Sequence, residues 1–255
     1  MRILALNLRS GGNRTTIGSL IRRCLGHRPD VLALSEFRSS ATGAVVRDGL
    51  AAAGYAHQAG SVAHAGNGVL LAATSKFASL LNPFGMSDDE YPNAIVEGRF
   101  KGLTVYAVYL PGQDRKRPHL RCLIAAAQRA NERNAAAIAI GDFNSGRNET
   151  DIEINLGRTR LRDEFSTADL YEELEGYWTE AWLCRHPRAT EFSWYPFRTG
   201  RSVAQSNGWR LDKAFLSPAL LPHLRRADYD HGFRSEGLTD HSALIVELDV
   251  EPVVP

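Results

Sequence analysis

One segment decides how the chain can fold: Ala136-Ala137-Ile138-Ala139-Ile140-Gly141-Asp142-Phe143-Asn144. Its small and branched apolar residues predict a buried β-strand over Ala136–Ile140. Because side chains alternate along an extended backbone, Asp142 and Asn144 are predicted on one side and Phe143 on the other, facing the core. A carboxylate beside an amide suits the activation of water, since the carboxylate can accept a proton. The same spacing also suits an Asx turn, and this alternative stays open.

The rest of the chain alternates short apolar runs with helical patterns. Further strands are predicted over Arg2–Asn7, Val31–Ser35, Gly68–Ala73, Ala94–Phe100, Leu103–Tyr109, Arg210–Leu216 and Ala243–Leu248. Helices are predicted from Thr15 or Thr16, as the cap, to Leu25, and over Ala44–Ala53, Arg117–Arg133 and Thr167–Leu174. The strands outnumber those of a pure βαβ winding, and several form adjacent hairpins. We therefore predict one domain over residues 1–255, a four-layered α/β/β/α sandwich of two mixed sheets flanked by helices.

The composition excludes several classes of protein. The 30 Lys and Arg residues and 29 Asp and Glu residues leave a formal net charge of +1, which is neither a basic nucleic-acid arm nor an acidic tail. Three widely spaced cysteines indicate neither a disulfide framework nor a zinc site. The apolar start is too short for a signal peptide, and no run approaches a membrane span. We expect a cytoplasmic monomer with no membrane contact and no evident protein partner.

Basic residues nevertheless cluster locally. Residues 1–28 contain six arginines and no acidic residue. The other two clusters are Arg115, Lys116, Arg117 and Arg121, and Arg198, Arg201, Arg210 and Lys213. A solvated surface explains most such clusters, and contact with an anionic partner such as nucleic acid is the alternative.

Polar side chains stand where predicted strands pass into loops. They are Asn7, Glu36, Asp142 with Asn144, Asp212, and Asp240 with His241. A rigid strand fixes such a side chain while the loop exposes it, which is where functional groups belong. Glu36, at the end of a buried strand, needs a cation or another partner, although a capping or surface role remains open.

As an ordered set these residues resemble the endonuclease/exonuclease/phosphatase superfamily, and within it the exonuclease III-like AP endonucleases. The resemblance extends from Ile3 to Leu248. It rests on Asn7, Ser35-Glu36, Tyr109-Leu110-Pro111, Gly141-Asp142-Phe143-Asn144, Gly208-Trp209-Arg210-Leu211-Asp212 and Thr239-Asp240-His241-Ser242, in the family's order and spacing.

The resemblance implies a metal-dependent phosphodiester hydrolase. Glu36 would be the principal ligand of Mg²⁺ or Mn²⁺, with Asn7 close by and Asp240 completing the metal environment. Hard oxygen ligands without a Cys or His cluster favour these ions over Zn²⁺. The metal would stabilise charge on the phosphoryl group and the leaving oxygen.

The resemblance also implies the catalytic groups. Asp142 would activate the attacking water, and Asn144 would orient it. Asp212 would support His241, whose imidazolium would stabilise the phosphoryl oxygens. Tyr109 would reach the phosphate or the leaving oxygen.

Two positions depart from the family pattern and bear on the substrate. Arg9 stands where many AP endonucleases carry an aspartate, and Gly112 stands where an asparagine is frequent. Arg9 is predicted to point toward the site and contact phosphate, aided by Gly11 and Gly12, and the alternative that it turns outward into solvent stays open. The further candidates for substrate contact are Arg38, Trp209 and Arg210.

The sequence thus predicts a DNA nuclease that uses Mg²⁺ or Mn²⁺, with the choice between endonuclease and exonuclease modes open. The same chemistry on a phospholipid headgroup, an inositol phosphate or a small nucleotide is the alternative. A binding module without activity is disfavoured because Glu36, Asp142, Asn144, Asp212 and His241 are all present.

Overall fold

The chain folds around two six-stranded sheets that pack face to face. The computed structural model describes residues 1–60, 66–153, 165–196 and 207–250. The first sheet has the order β11 (Leu224–Asp230), β12 (Ala243–Leu248), β1 (Arg2–Asn7), β2 (Val31–Phe37), β4 (Gly68–Ala73), β3 (His57–Gly60). The second has the order β5 (Ala78–Leu81), β6 (Ile95–Phe100), β7 (Leu103–Tyr109), β8 (Ala137–Asp142), β10 (Asp212–Leu216), β9 (Thr179–Glu180).

Helices cover the outer faces of both sheets. They are α1 (Ile17–Gly26), α2 (Ala41–Ala52), α3 (Arg117–Glu132), α4 (Ala168–Glu175), α5 (Ala181–Arg185) and α6 (Gly232–Ser235). The predicted four-layered sandwich is therefore confirmed. No helix in the described ranges combines the length and apolar character needed to cross a membrane.

The alternation of side chains along the strands builds three apolar layers. In β1, Ile3 and Ala5 belong to the cluster between the sheets, whereas Leu4 and Leu6 pack with α1 and α2. In the second sheet, Ile138 joins the central cluster, whereas Phe143, just beyond β8, packs with α3 and α4. Each sheet therefore has apolar side chains on both faces. Because both faces are buried, the sequences of its central strands are continuous apolar runs.

Two sequence predictions of helix starts need correction. The helix α2 begins at Ala41 rather than Ala44, because the Ser40 side chain accepts a hydrogen bond from Gly43 N at 3.2 Å and caps the first turn. Thr16 occupies the predicted N-cap of α1, but its side chain makes no capping hydrogen bond.

Two parallel strand pairs bring functional positions to one end of the sandwich. β1 runs parallel to β2, with Asn7 beside Ser35, and β7 runs parallel to β8, with Tyr109 beside Asp142. β10 enters antiparallel to β8, so that Asp212 pairs with Asp142 across the sheet. The last residues of three strands and the first residue of a fourth thus meet at this end.

Candidate active site

Backbone strain marks the loops around this end of the sandwich. Glu36 has φ 52° and Asn144 has φ 46°, both in the left-handed region that is unfavourable for residues other than glycine. The register between β2 and β4 shifts between Ser35 and Phe37, so Glu36 lies in a bulge that turns its side chain away from the ladder. Strained residues that persist are concentrated at functional sites.

The loop after β1 forms a cradle for Glu36. Residues 9–12 have φ values of 54°, 56°, 87° and 83° in succession, and the last two are glycines. The Ser10 backbone N–H donates a hydrogen bond to Glu36 Oε2. The Arg9 N–H donates to Asn7 Oδ1 at 2.7 Å. The Ser10-Gly11-Gly12 turn signal therefore serves to hold two polar side chains of the site.

Asn7 is a fully buried bridge between the two sheets. Its Nδ2 donates to Glu36 Oε1 at 3.2 Å and to Asp142 Oδ2 at 2.8 Å. The predicted proximity of Asn7, Glu36 and Asp142 is thus present in the structure. In this arrangement the amide nitrogen, and not the oxygen, faces the carboxylates.

Asp142 and Asn144 converge through a turn rather than along an extended strand. Asn144 N donates to Asp142 Oδ1 at 2.9 Å, which closes an Asx turn. Asn144 Nδ2 donates to Leu110 O at 2.8 Å and to Asp142 Oδ2 at 3.2 Å. The Asx turn is therefore present and the predicted extended backbone through Asn144 is wrong, and the Asn144 amide fixes the Asp142 carboxylate directly.

The environment of Asp142 favours its neutral form. Burial raises the pKa of Asp142 to about 7; nearby His241 opposes this rise, whereas Asp212 and Glu36 add to it. An aspartate with such a pKa changes its protonation near neutral pH, as a general base requires.

Asp212 and His241 form a buried pair. His241 Nδ1 lies 2.8 Å from Asp212 Oδ2. Burial alone would lower the pKa of His241, but the charge of Asp212 and the hydrogen bond to it raise that pKa to about 9. His241 is therefore an imidazolium at neutral pH. The other carboxylate oxygen, Asp212 Oδ1, is buried and has no hydrogen-bond partner among the described residues.

Asp240 lies at the rim of the site. Its Oδ2 accepts a hydrogen bond from Trp194 Nε1 at 3.2 Å and lies 3.7 Å from Arg9 Nε. The Arg9 side chain is 49% exposed. It therefore points to the site edge, as its spacing from Asn7 predicts, and neutralises Asp240 there.

Tyr109 is oriented by a residue that the sequence patterns do not single out. Its hydroxyl accepts a hydrogen bond from Asn67 Nδ2 at 3.2 Å, and Asn67 Oδ1 accepts one from Arg38 Nε at 2.6 Å. Burial, with the charge of Glu36, raises the pKa of Tyr109 well above its usual value, so the hydroxyl keeps its proton. Arg38 thus acts on the site through Asn67. The sequence patterns do not indicate Asn67, because it does not follow an apolar run as the other polar site residues do.

The Trp-Arg-Leu-Asp motif separates into outward and inward residues. Trp209 is half-buried and packs against Trp194 and Phe165, with ring centroids 6.1 and 5.1 Å apart. Arg210, predicted to contact substrate, is only 2% exposed and pairs with Asp151 and Glu180. That prediction is corrected: the guanidinium is enclosed by its partners and stacks over a tryptophan ring.

Two lysines of the basic clusters are also buried, as Arg210 is. Lys213 is fully buried, and Lys116 is 3% exposed, so neither belongs to a solvated face. The Lys116 ammonium donates to the backbone carbonyl of Asn144, which places it beside the site. The cluster members Arg198 and Arg201 lie outside the described residues.

The donor set fits a hard divalent cation. No group of three or more His, Cys, Asp or Glu side chains in the described ranges has the geometry of a ready-made metal site. The charges of Asp212 and Glu36 nevertheless add to the rise that burial causes in the pKa of Asp142, and the buried Asp212 Oδ1 has no hydrogen-bond partner among the described residues. Oxygen-rich, negatively charged surroundings of this kind suit Mg²⁺ or Mn²⁺. Use of the Asn7 oxygen as a ligand would require its amide to turn.

Comparison with known proteins identifies the family of the chain. Residues 4–241 match the Endonuclease/Exonuclease/phosphatase family. The sequence comparison with curated proteins gives no match.

Solved structures share the fold at low sequence identity. An AP endonuclease from Archaeoglobus fulgidus is 18% identical with a TM-score of 0.79, over 98% of this chain and 100% of that chain. A 3′ phosphatase, NExo, from Neisseria bound to a product DNA hairpin has the same identity of 18%, TM-score of 0.79 and coverage of 98% and 100%. The 3′-5′ exonuclease NExo from Neisseria meningitidis gives the same four values, 18%, 0.79, 98% and 100%.

Proposed function

The chain belongs to the endonuclease/exonuclease/phosphatase family, and on that premise we propose that it is a Mg²⁺- or Mn²⁺-dependent nuclease that hydrolyses DNA phosphodiesters. The observation that carries the proposal is the juxtaposition of Asp142 with the Asp212–His241 pair. A carboxylate whose pKa is raised to about 7 stands beside an imidazole whose pKa is raised to about 9. Near pH 8 the first group is a base while the second remains a cation.

These two groups have complementary roles in hydrolysis. The ionised Asp142 accepts a proton from the attacking water, and Asn144 and Asn7 hold its carboxylate in place. The His241 imidazolium, oriented by Asp212, neutralises charge that develops on the phosphoryl oxygens. The protonated Tyr109 hydroxyl, oriented by Asn67, can donate a hydrogen bond to the phosphate.

The residues that would hold the metal lie on the Glu36 side of the site. Glu36 would be its principal ligand, with Asn7 adjacent and Asp240 at the rim. When bound, the ion supplies Lewis-acid stabilisation of the phosphoryl charge and the leaving oxygen. Asn144 orients the Asp142 carboxylate rather than the water, because its amide nitrogen already donates hydrogen bonds to Leu110 O and Asp142 Oδ2.

DNA is favoured as the substrate by the rim of the site. Arg9 offers a half-exposed guanidinium to a phosphate backbone, and the Trp194–Trp209 pair offers aromatic surface beside His241. The related structures include a phosphatase bound to a DNA hairpin. The alternative, a small or lipid phosphoester, requires only the inner residues and makes no use of this rim.

A parallel substrate panel tests the proposal. Purified protein with Mg²⁺ or Mn²⁺ would be assayed on abasic duplex, intact duplex, single-stranded DNA, an aryl phosphodiester and small phosphate monoesters. We expect cleavage of at least one DNA substrate with a kcat/KM well above that for the aryl ester. Preference for a small ester would select the alternative substrate class, and inactivity on the whole panel would contradict the enzymatic proposal.

A further inference from the structure

Two buried lysines have different surroundings. Lys213 is fully buried and lies 2.9 Å from Asp151 Oδ2, so its charge is compensated. Lys116 is 3% exposed, and its one hydrogen bond within the described ranges goes to a neutral acceptor, the backbone carbonyl of Asn144. No carboxylate in those ranges lies within ion-pair distance of Lys116.

An enclosed ammonium without a counter-ion opposes folding. Burial lowers the pKa of Lys116 to about 8, and the charges of Asp142 and Asp114 oppose that change. Lys116 therefore keeps its proton at neutral pH. Asp114 is exposed, so Asp142 is the buried carboxylate toward which the charge of Lys116 acts. A fold that retains an uncompensated charge beside a functional turn indicates a role other than stability.

The contact of Lys116 falls on the residue that fixes Asp142. Lys116 ends a short 3₁₀ helix, Gln113–Lys116, which follows the Tyr109-Leu110-Pro111 segment. Its ammonium reaches the carbonyl of Asn144, whose φ of 46° is unfavourable for an asparagine. The amide of the same residue donates to Leu110 O and Asp142 Oδ2. Lys116 and Leu110 thus hold the Asn144 turn from two directions.

We propose that Lys116 is a positioning residue for hydrolysis, which holds the strained Asn144 turn in place and, when protonated, provides a positive charge that acts on the Asp142 carboxylate. The inference rests on the proposed function, since it assigns Asp142 the task of activating water. Lys116 does not touch the reacting atoms: it acts through Asn144 and through its electrostatic field. A purely structural lysine would instead contribute to stability and leave turnover unchanged.

The substitution Lys116→Met separates these roles, because methionine keeps the length of the side chain and removes its charge. Turnover is expected to fall on the order of 10²-fold with KM little changed, the scale of a misplaced reacting group. The melting temperature is expected to stay or rise, because an uncompensated buried charge is removed. Lys213→Met is the comparator and should lower the melting temperature, since it removes one of the two cations that pair with Asp151. Lys101→Met, at an exposed turn, is the control for loss of a surface charge.

A second variant covers the case in which methionine packs poorly. Lys116→Ala leaves space for a small alkylammonium ion, so added ethylamine should restore part of the lost turnover, whereas the uncharged ethanol should not. Hydrogen exchange at residues 142–146 should accelerate in both Lys116 variants and remain unchanged in Lys101→Met. The exchange measurement needs no substrate, so it tests the pinning of the turn even if the proposed function fails.

The kinetic, thermal and exchange measurements together distinguish a positioning role from a structural one. A reduced kcat with an unchanged or higher melting temperature, amine rescue and faster exchange at residues 142–146 would support the proposal. Wild-type kcat in Lys116→Met, or a loss of activity that merely follows a lower melting temperature, would overturn it. Inactive wild-type protein would overturn the proposed function, while unchanged exchange in the variants would overturn the positioning role.

Discussion

Two buried groups of charged residues lie next to each other at the strand β10, and they differ in their ratio of cations to carboxylates. Arg210 and Lys213 pair with Asp151 and Glu180, two cations with two carboxylates, at distances such as 2.7 Å for Arg210–Glu180 and 2.9 Å for Lys213–Asp151. Asp212, between these two cations in the sequence, belongs instead to the candidate active site.

The active-site group has an excess of acidic residues. Its carboxylates are Glu36, Asp142, Asp212 and Asp240, and its cations are the His241 imidazolium, the buried Lys116 and the half-exposed Arg9. In the balanced group, the neighbouring cations lower the pKa of Asp151 despite its burial. In the active-site group, burial raises the pKa of Asp142 to about 7. Asp151 and Asp142 are buried to a similar depth, but their pKa values shift in opposite directions, because cations match the carboxylates in number only in the first group. We infer that the balanced group stabilises the fold, whereas the acidic group remains available for a cation and a substrate.

Asp142→Asn should give the largest effect on activity. Loss of the base is expected to lower kcat about 10³-fold to 10⁴-fold, toward the upper end of general acid–base contributions. The same change should stabilise the metal-free protein at pH 8. An aspartate whose folded pKa lies above its unfolded value opposes folding once it ionises, so the gain should disappear as the pH falls below about 4. Steady-state kinetics and thermal unfolding in EDTA would check this; lower stability at pH 8 would contradict the interpretation.

Asp151→Asn should give the opposite combination. It leaves Arg210 and Lys213 short of a counter-charge and should cost about 3–5 kcal/mol of unfolding free energy, the usual effect of breaking a buried ion pair. The kcat of the folded protein should change far less than in Asp142→Asn. The control is Asp249→Asn in the exposed pair with Arg225, which should leave the free energy of unfolding close to that of wild type.

The pH dependence of stability sharpens this contrast. Because the folded pKa of Asp151 is lowered, its stabilisation is fully present above its unfolded pKa of about 3.9 and is lost as the pH falls through the folded value. Urea unfolding of wild type and Asp151→Asn between pH 3 and pH 7 should therefore converge toward the acidic end. A difference independent of pH would show that the loss is one of packing.

The Asp212–His241 pair is expected to act as a unit within the acidic group. Asp212→Asn and His241→Ala should each lower kcat on the order of 10²-fold or more. The double variant should lose less than the product of the two single losses, because residues that act together are not additive. A double-mutant cycle on kcat measures this. A loss equal to the product would show that the two residues act independently.

The smallest effect is expected at Arg9. Its 3.7 Å contact with Asp240 is half-exposed, so Arg9→Ala should raise KM for DNA only a few-fold and steepen the dependence on Mg²⁺. Arg9→Asp should be worse unless a second ion enters. Mg²⁺ titrations of DNA cleavage by both variants provide the measurement, and wild-type behaviour in both would assign Arg9 to the surface alone.

The fold was predictable where strands are buried on both sides. β1, β4 and β12 begin and end at the predicted residues because their runs are continuously apolar. The four strands that the patterns missed, β3, β5, β9 and β11, are the four sheet edges. An edge strand has one hydrogen-bonded neighbour and more solvent contact, so its sequence can be short or polar. β11, Leu224-Arg225-Arg226-Ala227-Asp228-Tyr229-Asp230, carries charges that hide its alternation.

The residues of the site that lie at the ends of strands were predictable from the sequence. Asn7, Glu36, Asp142, Asp212 and His241 all follow or begin apolar runs, and the structure brings them together. Charge alone does not tell where a side chain points, so Arg210 was placed at the substrate although its partners enclose it. The burial of Lys116 depends on how a 3₁₀ helix packs against the Asn144 turn, and no local sequence pattern encodes that contact.

We propose that the acidic group binds a divalent cation and that this cation is required for phosphodiester hydrolysis. The most direct measurement is a Mg²⁺ and Mn²⁺ titration of EDTA-treated protein, following thermal unfolding and cleavage of an aryl phosphodiester in parallel. Wild type should be inactive without metal and should gain both activity and about 2.7 kcal/mol of stability at a hundredfold excess of metal over Kd. Glu36→Gln should need more metal for both, whereas Asp249→Asn should follow wild type. Full activity in EDTA, or the same metal dependence in Glu36→Gln, would contradict the account.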